Sequence, residues 1–169
     1  MEKSEVIRLY NLFQDNGIKI WIDGGWGIDA LLGDQTRPHA DLDIAVNRKN
    51  IAKLRELLPN YKENQDKPSE KNFVLEDGEG NKIDVHAFEF DDNGNNIFGI
   101  LYPKDSLTGT GKIDGVTVNC IPPEWVVTFH GYYEPKEKDL KDIEQLCAKF
   151  GLEPPENYKK YPGFNEEKN

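Results

Sequence analysis

The residues of this sequence that are best suited to chemistry are two aspartates in a short apolar segment. Asp41 and Asp43 are separated by one leucine and followed by Ile-Ala-Val. Side chains alternate along a β-strand, so a strand here would point both carboxylates to one face, with Leu42 and Ile44 on the other. Carboxylate oxygens are the ligands that hard cations such as Mg²⁺ prefer. The spacing therefore predicts a metal site on this strand.

A pair of glycines ends the preceding apolar segment. Gly24 and Gly25 follow Ile-Trp-Ile-Asp, and Gly25 stands 16 residues before Asp41. A backbone without side chains can approach an anion closely, and the N-terminus of a following helix attracts phosphate. A glycine pair alone is usually only a turn, but its place before the aspartate strand favours a phosphate-binding turn. Asp29 on the following helix is interpreted as an anchor of this turn.

A third acid lies in a later apolar segment. Asp84 and His86 alternate with Ile83, Val85 and Ala87, so the two polar residues would share one face of a strand. A carboxylate in an apolar strand costs free energy unless it has a partner or a function. If this strand lies beside the strand of the first two aspartates, three acids come together. Like charges at that distance require cations, which strengthens the prediction of a metal site.

The helices and strands that must position these residues are predicted from hydrophobic periodicity and turn signals. Helical spacing covers residues 3–15, 26–32, 51–58, 122–133 and 137–150. Strands are predicted at residues 18–22, 42–46, 73–76 and 82–90, and a tight hairpin at residues 112–118 turns at Asp114-Gly115. Polar or aperiodic stretches are predicted as loops at residues 33–40 and 62–71 and as a C-terminal arm at 156–169. Residues 97–111 are predicted as a connector, with a substrate-covering loop as the alternative.

This order of elements predicts an α/β (α+β) fold with a mixed sheet flanked by helices. The hairpin formed by residues 73–90 pairs antiparallel strands, which argues against an all-parallel sheet. The helices are concentrated at the end of the chain. We therefore predict a core domain at residues 1–118 and a small helical subdomain with a tail at residues 119–169.

Composition restricts the classes of partner. The 169 residues carry 31 acidic and 21 basic side chains, a net charge of −10. A negative field discourages binding to nucleic acid and favours a cationic small molecule, although simple solubility explains it equally well. No apolar run is long enough to span a membrane or to form a signal peptide, so a cytoplasmic location is expected. Cys120 and Cys147 form no metal-binding or disulfide pattern and are predicted to be buried thiols.

Two motifs together resemble a known superfamily. Gly24-Gly25 followed by Asp41-Leu42-Asp43-Ile44 is similar to the pattern of nucleotidyltransferases of the DNA polymerase beta type. Two longer segments resemble the branch of small antibiotic nucleotidyltransferases. They are residues 23–33, Asp-Gly-Gly-Trp-Gly-Ile-Asp-Ala-Leu-Leu-Gly, and residues 36–43, Thr-Arg-Pro-His-Ala-Asp-Leu-Asp. That branch contains lincosamide nucleotidyltransferases and aminoglycoside 2''-adenylyltransferases. The resemblance implies the nucleotidyltransferase fold.

The resemblance also implies an activity and a set of nucleotide-site residues. A nucleoside monophosphate, usually AMP from ATP or another NTP, would pass to a hydroxyl of a small antibiotic, causing resistance. Asp41 and Asp43 would bind the metal, two Mg²⁺ ions in all, and Asp84 would be the general base. Gly24 and Gly25 would contact the triphosphate.

Further residues are predicted to complete the two substrate sites. Arg37 and His39 would reach the triphosphate from the polar loop, and Lys138 from the last helix. His86 is predicted to line the acceptor pocket because it shares the strand face of Asp84. Aminoglycoside enzymes tend to place an acid at that position, and lincosamides are therefore slightly favoured as acceptors.

For several of these residues, the sequence allows two different roles. Asp84 can be a third metal ligand instead of a base, and His39 can pair with a nearby carboxylate. Lys138 can belong to a solvated charged face. Tyr132 and Tyr133 are predicted as an acceptor wall, although aromatic residues at helical spacing are usually core.

The sequence also allows two functions other than transfer to an antibiotic. One is a minimal nucleotidyltransferase of the toxin–antitoxin type that modifies protein or RNA. Another is an inactive binding module with the same fold. A homodimer whose second subunit completes the pocket is a further expectation about partners.

Overall fold

The structure is a computed structural model that describes residues 1–64 and 69–164. In these residues five helices and eight strands are formed. The helices are α1 (Lys3–Asp15), α2 (Gly24–Leu32), α3 (Ile51–Leu57), α4 (Pro123–His130) and α5 (Glu137–Phe150). The strands are β1 (Ile20–Asp23), β2 (Leu42–Asn47), β3 (Lys62–Glu63), β4 (Asn72–Glu76), β5 (Lys82–Phe90), β6 (Asn96–Gly99), β7 (Gly109–Ile113) and β8 (Val116–Cys120).

All the strands belong to one mixed sheet, as predicted. Its order is β3-β4-β5-β2-β1-β8-β7, and β6 pairs with the end of β5. β2 is parallel to β5, and β1 is parallel to β8, whereas β1 and β2 are antiparallel. The β4–β5 and β7–β8 hairpins are confirmed. The two segments that carry the predicted acids are therefore neighbouring strands at the centre of the sheet.

The two faces of the central strands differ in chemistry. One face carries Ile22, Ile44 and Val85, all fully buried in the core. The opposite face carries the polar residues of the same strands, because side chains alternate. α1 packs against β1 and α3, while α2, α4 and α5 pack against one another. The polar face of the sheet thus meets a group of three helices.

The boundaries of several elements differ from the prediction by a few residues. β1 begins at Ile20 and runs through Asp23, so α2 starts at once at Gly24. A 3-10 turn precedes α3. Part of the predicted loop at residues 62–71 is a short strand paired with β4, and residues 65–68 of that loop lie outside the described residues. The predicted connector contains β6, a 3-10 turn and β7.

The C-terminal arm packs onto the helices as far as it is described. A 3-10 turn at Glu156–Tyr158 buries Tyr158 completely. The amide of Asn157 donates to the backbone carbonyls of His130 and Tyr133, at 3.3 and 2.7 Å. The segment therefore fastens the connection between α4 and α5. Residues 165–169 of the predicted arm lie outside the described residues.

Two remaining predictions concern burial and membranes. Both cysteines are buried and form no disulfide. Within the described residues, no helix is long and apolar enough to cross a membrane. The division of the chain after residue 118 stays a prediction.

Candidate active site

Three aspartates lie side by side on the polar face of the sheet. Pairing places Asp23 of β1 opposite Asp43 of β2, and Asp43 opposite Asp84 of β5. Directly paired residues on neighbouring strands are about 5 Å apart at Cβ, so their side chains interact. The sequence predicted that Asp43 and Asp84 would meet if their strands were neighbours, and they do. Asp23 was not predicted as a member of this row.

The central carboxylates form a site that suits a divalent cation. Burial is the largest cause of a raised pKa of Asp43, which is about 7. The charges of the neighbouring carboxylates raise this pKa further, and the charge of His86 lowers it. Oδ1 of Asp84 is buried and accepts no hydrogen bond within the described residues, although Nε2 of His86 lies 3.5 Å from it. Ligand atoms of Asp43, Asp84 and His86 lie within 4.8 Å of one another. Repelling carboxylates and a buried oxygen that accepts no hydrogen bond are the donor set that a hard cation satisfies, and Asp41 lines the same cavity at a more exposed position.

His86 lies at the edge of this carboxylate row. Its Nε2 is 3.5 Å from an oxygen of Asp84, and its Nδ1 is 3.0 Å from the hydroxyl of Tyr102. Burial disfavours the charged imidazole, but contacts with Asp23 and Asp84 outweigh it and raise the pKa of His86 to about 10. The ring therefore supplies positive charge beside the carboxylates.

The glycine turn needs both of its glycines for steric reasons. Gly24 has a φ of +56°, and a Cβ at this position would lie 2.1 Å from Oδ2 of Asp43. A Cβ at Gly25 would lie 2.2 Å from Nδ1 of His39. The turn therefore lets the aspartate strand and the polar loop close onto the start of α2. A helix N-terminus exposed in this way attracts phosphate.

Asp29 holds the polar loop that follows α2. It is 2% exposed and accepts hydrogen bonds from the backbone amide and hydroxyl of Thr36, at 3.1 and 2.7 Å. It also contacts Nε2 of His39, which is itself buried. Asp29 thus anchors this loop, and through the His39 ring it is connected to the glycine turn. Of the two interpretations of His39, the structure shows the carboxylate pairing.

Arg37 connects the same loop to the last helix. Its guanidinium contacts Asp142 of α5 with Nη2 at 2.7 Å and Nε at 3.1 Å. Asp142 is 3% exposed, and this contact raises the pKa of Arg37 above its usual value. Sequence reasoning placed Arg37 on the nucleotide and did not identify its carboxylate partner.

A cavity of about 480 Å³ lies between the polar sheet face, the loop and helices α4 and α5. Nine of the residues predicted for the site line it: Gly24, Gly25, Arg37, His39, Asp41, Asp43, His86, Tyr133 and Lys138. Two do not. Asp84 lies beside Asp43 in the carboxylate row, and Tyr132 is 74% exposed on the surface.

The far side of the cavity is formed by α4 and the residues after it. Val126, Phe129, His130 and Tyr133 line this side. Nδ1 of His130 is 2.8 Å from the carbonyl of Val126, so this nitrogen is used within the helix. The wall is mostly aromatic and apolar, in contrast to the carboxylate row opposite.

Among the residues of the site that were missed in the sequence, three were missed for different reasons. Asp23 stands immediately before the glycine pair, and its position at the end of a strand could have indicated that its carboxylate belongs to the site. Asp142 lies next to the apolar stripe of α5, where a charged residue is unusual. Tyr102 comes from an aperiodic stretch and offered no signal.

Comparison with known proteins relates this geometry to a family. A family model described as aminoglycoside-2''-adenylyltransferase matches residues 5–146. A lincosamide resistance protein from Staphylococcus haemolyticus is 31% identical over 153 residues, which are 85% of this chain and 93% of that protein. A 2''-aminoglycoside nucleotidyltransferase from Klebsiella pneumoniae is 24% identical over 163 residues, 90% of this chain and 92% of that one.

Solved structures agree with this relationship and confirm the predicted nucleotidyltransferase fold. The lincomycin-bound lincosamide antibiotic adenylyltransferase LnuA matches with a TM-score of 0.75 and 27% identity, over 88% of this chain and 98% of that one. ANT(2'')-Ia in complex with adenylyl-2''-tobramycin shares the fold, with a TM-score of 0.74 and 22% identity over 88% and 89% of the two chains. The chain therefore belongs to the aminoglycoside-2''-adenylyltransferase family and is a nucleotidyltransferase.

Proposed function

We propose that this protein transfers AMP from ATP to a hydroxyl of a small antibiotic in a Mg²⁺-dependent reaction that causes resistance. The observation that carries the proposal is the pairing of Asp43 with Asp84 beside the glycine turn. This arrangement brings carboxylate oxygens of the kind that hold a metal, and a helix N-terminus of the kind that attracts phosphate, to one end of a cavity. Such a combination serves transfer of a nucleotidyl group, which requires charge stabilisation and positioning.

The nucleotide half of the site consists of the residues around the turn. Asp41 and Asp43 would hold Mg²⁺, and a bound divalent cation would neutralise charge on the phosphate oxygens. The amide of Gly24 already donates to Asp23, so at this turn Gly25 would offer its backbone amide to the triphosphate. Lys138 lines the cavity from α5 and is exposed, so its ammonium group is available to a phosphate.

The proton of the acceptor hydroxyl would go to Asp84. The hydroxyl oxygen forms a bond to the α-phosphorus while the bond from that phosphorus to pyrophosphate breaks. A carboxylate within hydrogen-bond reach of the hydroxyl takes its proton as this happens. In the part of the chain that the structure describes, Oδ1 of Asp84 lies 3.5 Å from Nε2 of His86 but accepts no hydrogen bond, which supports this role.

Lincosamides are the acceptors that we favour. The lincosamide resistance protein is the relative with 31% identity, against 24% for the aminoglycoside enzymes. The aromatic wall formed by Phe129 and Tyr133 also suits an acceptor with apolar surface. An aminoglycoside is the second candidate, because carboxylates such as Asp139 line the cavity and attract amines.

The test is incubation with ATP, Mg²⁺ and a panel of lincosamides and aminoglycosides, followed by mass spectrometry of the antibiotics. We expect the mass of a lincosamide to increase by one AMP group, and the increase to disappear with a chelator. Asp43→Asn is expected to abolish transfer without unfolding the protein. If no antibiotic is modified, or if modification persists in the chelator and in Asp43→Asn, the proposed function is wrong.

A further inference from the structure

Tyr102 reaches the site from outside the strands that form it. It follows β6 in the predicted connector and crosses the polar face of the sheet. Its side chain is 2% exposed. Its ring meets Phe88 and Phe129 edge-on, with centroids 6.0 and 5.9 Å away. Aromatic edges packed in this way fix the ring, so the position of the hydroxyl is determined before any substrate binds.

The hydroxyl of Tyr102 contacts two residues that belong to different strands. It donates to Oδ2 of Asp23 at 2.7 Å, and Nδ1 of His86 lies 3.0 Å from it. A tyrosine hydroxyl has one proton, and a carboxylate can only accept. The proton therefore points to Asp23, and the N–H of His86 donates to the hydroxyl oxygen.

Each of these two partners touches a functional part of the site. Oδ1 of Asp23 accepts from the backbone amide of Gly24 at 2.8 Å, which caps α2 at the glycine turn. Nε2 of His86 lies 3.5 Å from an oxygen of Asp84. One hydroxyl thus connects the turn proposed to bind the triphosphate with the carboxylate proposed to act as base.

The connection through Tyr102 joins the two outer strands of the carboxylate row, β1 and β5, past Asp43 of β2 in the middle. β1 and β5 are separated by β2, so Asp23 and His86 share no backbone hydrogen bonds. The repulsion among the carboxylates tends to separate their side chains. Asp23 and His86 attract each other, with Oδ2 and Nδ1 3.8 Å apart, and the hydroxyl of Tyr102 fixes their separation by hydrogen bonding to both atoms.

We propose that Tyr102 is a positioning residue for nucleotidyl transfer, which holds Asp23 and His86 at a fixed separation and so aligns the glycine turn with Asp84. The predicted effect of Tyr102 on kcat rests on the proposed function, whereas its contacts with Asp23 and His86 do not. Tyr102 contacts no substrate in this role, and its effect is carried through the two residues it joins. A misplacement of about 1 Å at a reacting group can reduce the rate by about 100-fold.

The experiment compares Tyr102→Phe with the wild-type protein. Phenylalanine keeps the ring and its contacts with Phe88 and Phe129 and removes only the hydroxyl. We expect kcat to fall by about 10- to 100-fold. The KM values for nucleotide and antibiotic should change by less than about 3-fold, because no substrate contact is lost.

Tyr158→Phe is the matched control. Tyr158 is also fully buried, and its hydroxyl has no hydrogen-bond partner within the described part of the chain. Both variants lose one buried hydroxyl, so a loss of kcat common to both would overturn the proposal. A wild-type kcat in Tyr102→Phe would also overturn it, as would raised KM values with unchanged kcat.

A double variant tests whether Tyr102 acts through Asp23. Residues that act as one unit have non-additive effects. The kcat of Tyr102→Phe combined with Asp23→Asn should be close to that of Asp23→Asn alone. Fully additive losses would overturn the proposed connection.

A spectroscopic measurement separates this proposal from the proposed function. The chain contains three histidines, and their imidazole ¹⁵N signals can be compared between variants. Tyr102→Phe should shift the His86 signal and leave those of His39 and His130 in place. A wild-type protein that modifies no antibiotic would contradict the proposed function, whereas an unshifted His86 signal would contradict the contact itself.

Discussion

Three aspartates share one face of the sheet, but their oxygens have different partners. Both oxygens of Asp23 are used, one by the amide of Gly24 and the other by Tyr102. Burial alone would raise the pKa of Asp23, but the contact with His86 and these two hydrogen bonds hold it below its usual value. Asp84 instead has one buried oxygen that lies 3.5 Å from Nε2 of His86 and accepts no hydrogen bond in the described residues. Hydrogen bonding therefore distinguishes a structural carboxylate from one available for chemistry.

The substitution Asp84→Asn tests the role of this oxygen. The amide is nearly isosteric but cannot accept a proton, so turnover should fall by about 10²- to 10⁴-fold. Metal-dependent binding of ATP should persist if Asp84 is a base. Calorimetric titration with ATP and Mg²⁺, together with the transfer assay, measures both quantities.

The control for this substitution is Asp92→Asn, which removes a carboxylate from an exposed turn. It should leave binding and turnover unchanged. If Asp84→Asn loses metal-dependent ATP binding together with turnover, Asp84 is a metal ligand rather than a base.

At the scale of elements, the turn from β1 to α2 brings the carboxylate of Asp43 against the start of α2. Gly24 is the first residue of α2 and has a left-handed backbone conformation. The carboxylate of Asp43 occupies the space where its Cβ would be. The glycine is required twice, once for φ and once for this close approach.

The substitution Gly24→Ala should therefore cost more than a strained backbone. The methyl group would displace Asp43, and transfer should fall by at least about 100-fold. Gly78→Ala is the control, because Gly78 has a φ of +80° and a Cβ added there would meet nothing within 4 Å. It should lose about 1–2 kcal/mol of stability but keep its activity. Equal losses of activity in the two variants would show that strain alone matters.

A second connection between elements is the ion pair of Arg37 and Asp142. It joins the loop after α2 to α5, and its residues are 105 positions apart in the chain. Arg37→Ala would leave a buried carboxylate without its partner. We expect the free energy of unfolding to fall by about 2–4 kcal/mol.

Arg8→Ala provides the comparison for this ion pair. Arg8 pairs with Glu5 one helical turn away and its side chain is 54% exposed. The loss in unfolding free energy should be below about 1 kcal/mol. Urea denaturation measures both variants, and similar losses would mean that Asp142 finds solvent or another donor when Arg37 is removed.

At the scale of the whole molecule, the C-terminal segment supports one wall of the cavity. Asn157 donates to the carbonyl of Tyr133, whose side chain lines the cavity. Nearby, Lys160 and Tyr161 both contact Glu134 of the same connection. The end of the described chain thus supports the wall that we propose to face the antibiotic.

The substitution Asn157→Asp keeps the size of the side chain and removes its donors. The connection between α4 and α5 should loosen, and the KM for the antibiotic should rise by about 3- to 10-fold, the equivalent of about one hydrogen bond. The KM for ATP should stay unchanged. Asn93→Asp adds the same charge in an exposed turn and should change neither KM. A parallel rise in both KM values of Asn157→Asp would show that the segment supports the whole fold rather than the acceptor wall.

Local features of the sequence were sufficient for most elements and for part of the site. Helices α1 and α5 have the predicted bounds, because their apolar spacing and terminal signals depend only on neighbouring residues. The alternation around Asp41 and Asp43, and the glycine pair, are local patterns of the same kind. These patterns were enough to predict a site for a metal and a phosphate, and the role of each residue in that site stays a prediction.

The tertiary structure decided which distant residues complete that site. It placed β5 beside β2 and so brought Asp84 to Asp43, which the sequence could state only as a condition. It gave Arg37 a carboxylate on α5, and it brought Tyr102 to Asp23 across 79 positions of the chain. These contacts depend on how sheet and helices pack, and no periodicity in the segments concerned reports that packing. The sequence by itself predicted where the chemistry lies, because the strand alternation and the glycine pair are local patterns, and the packing of distant segments decided which residues surround that place.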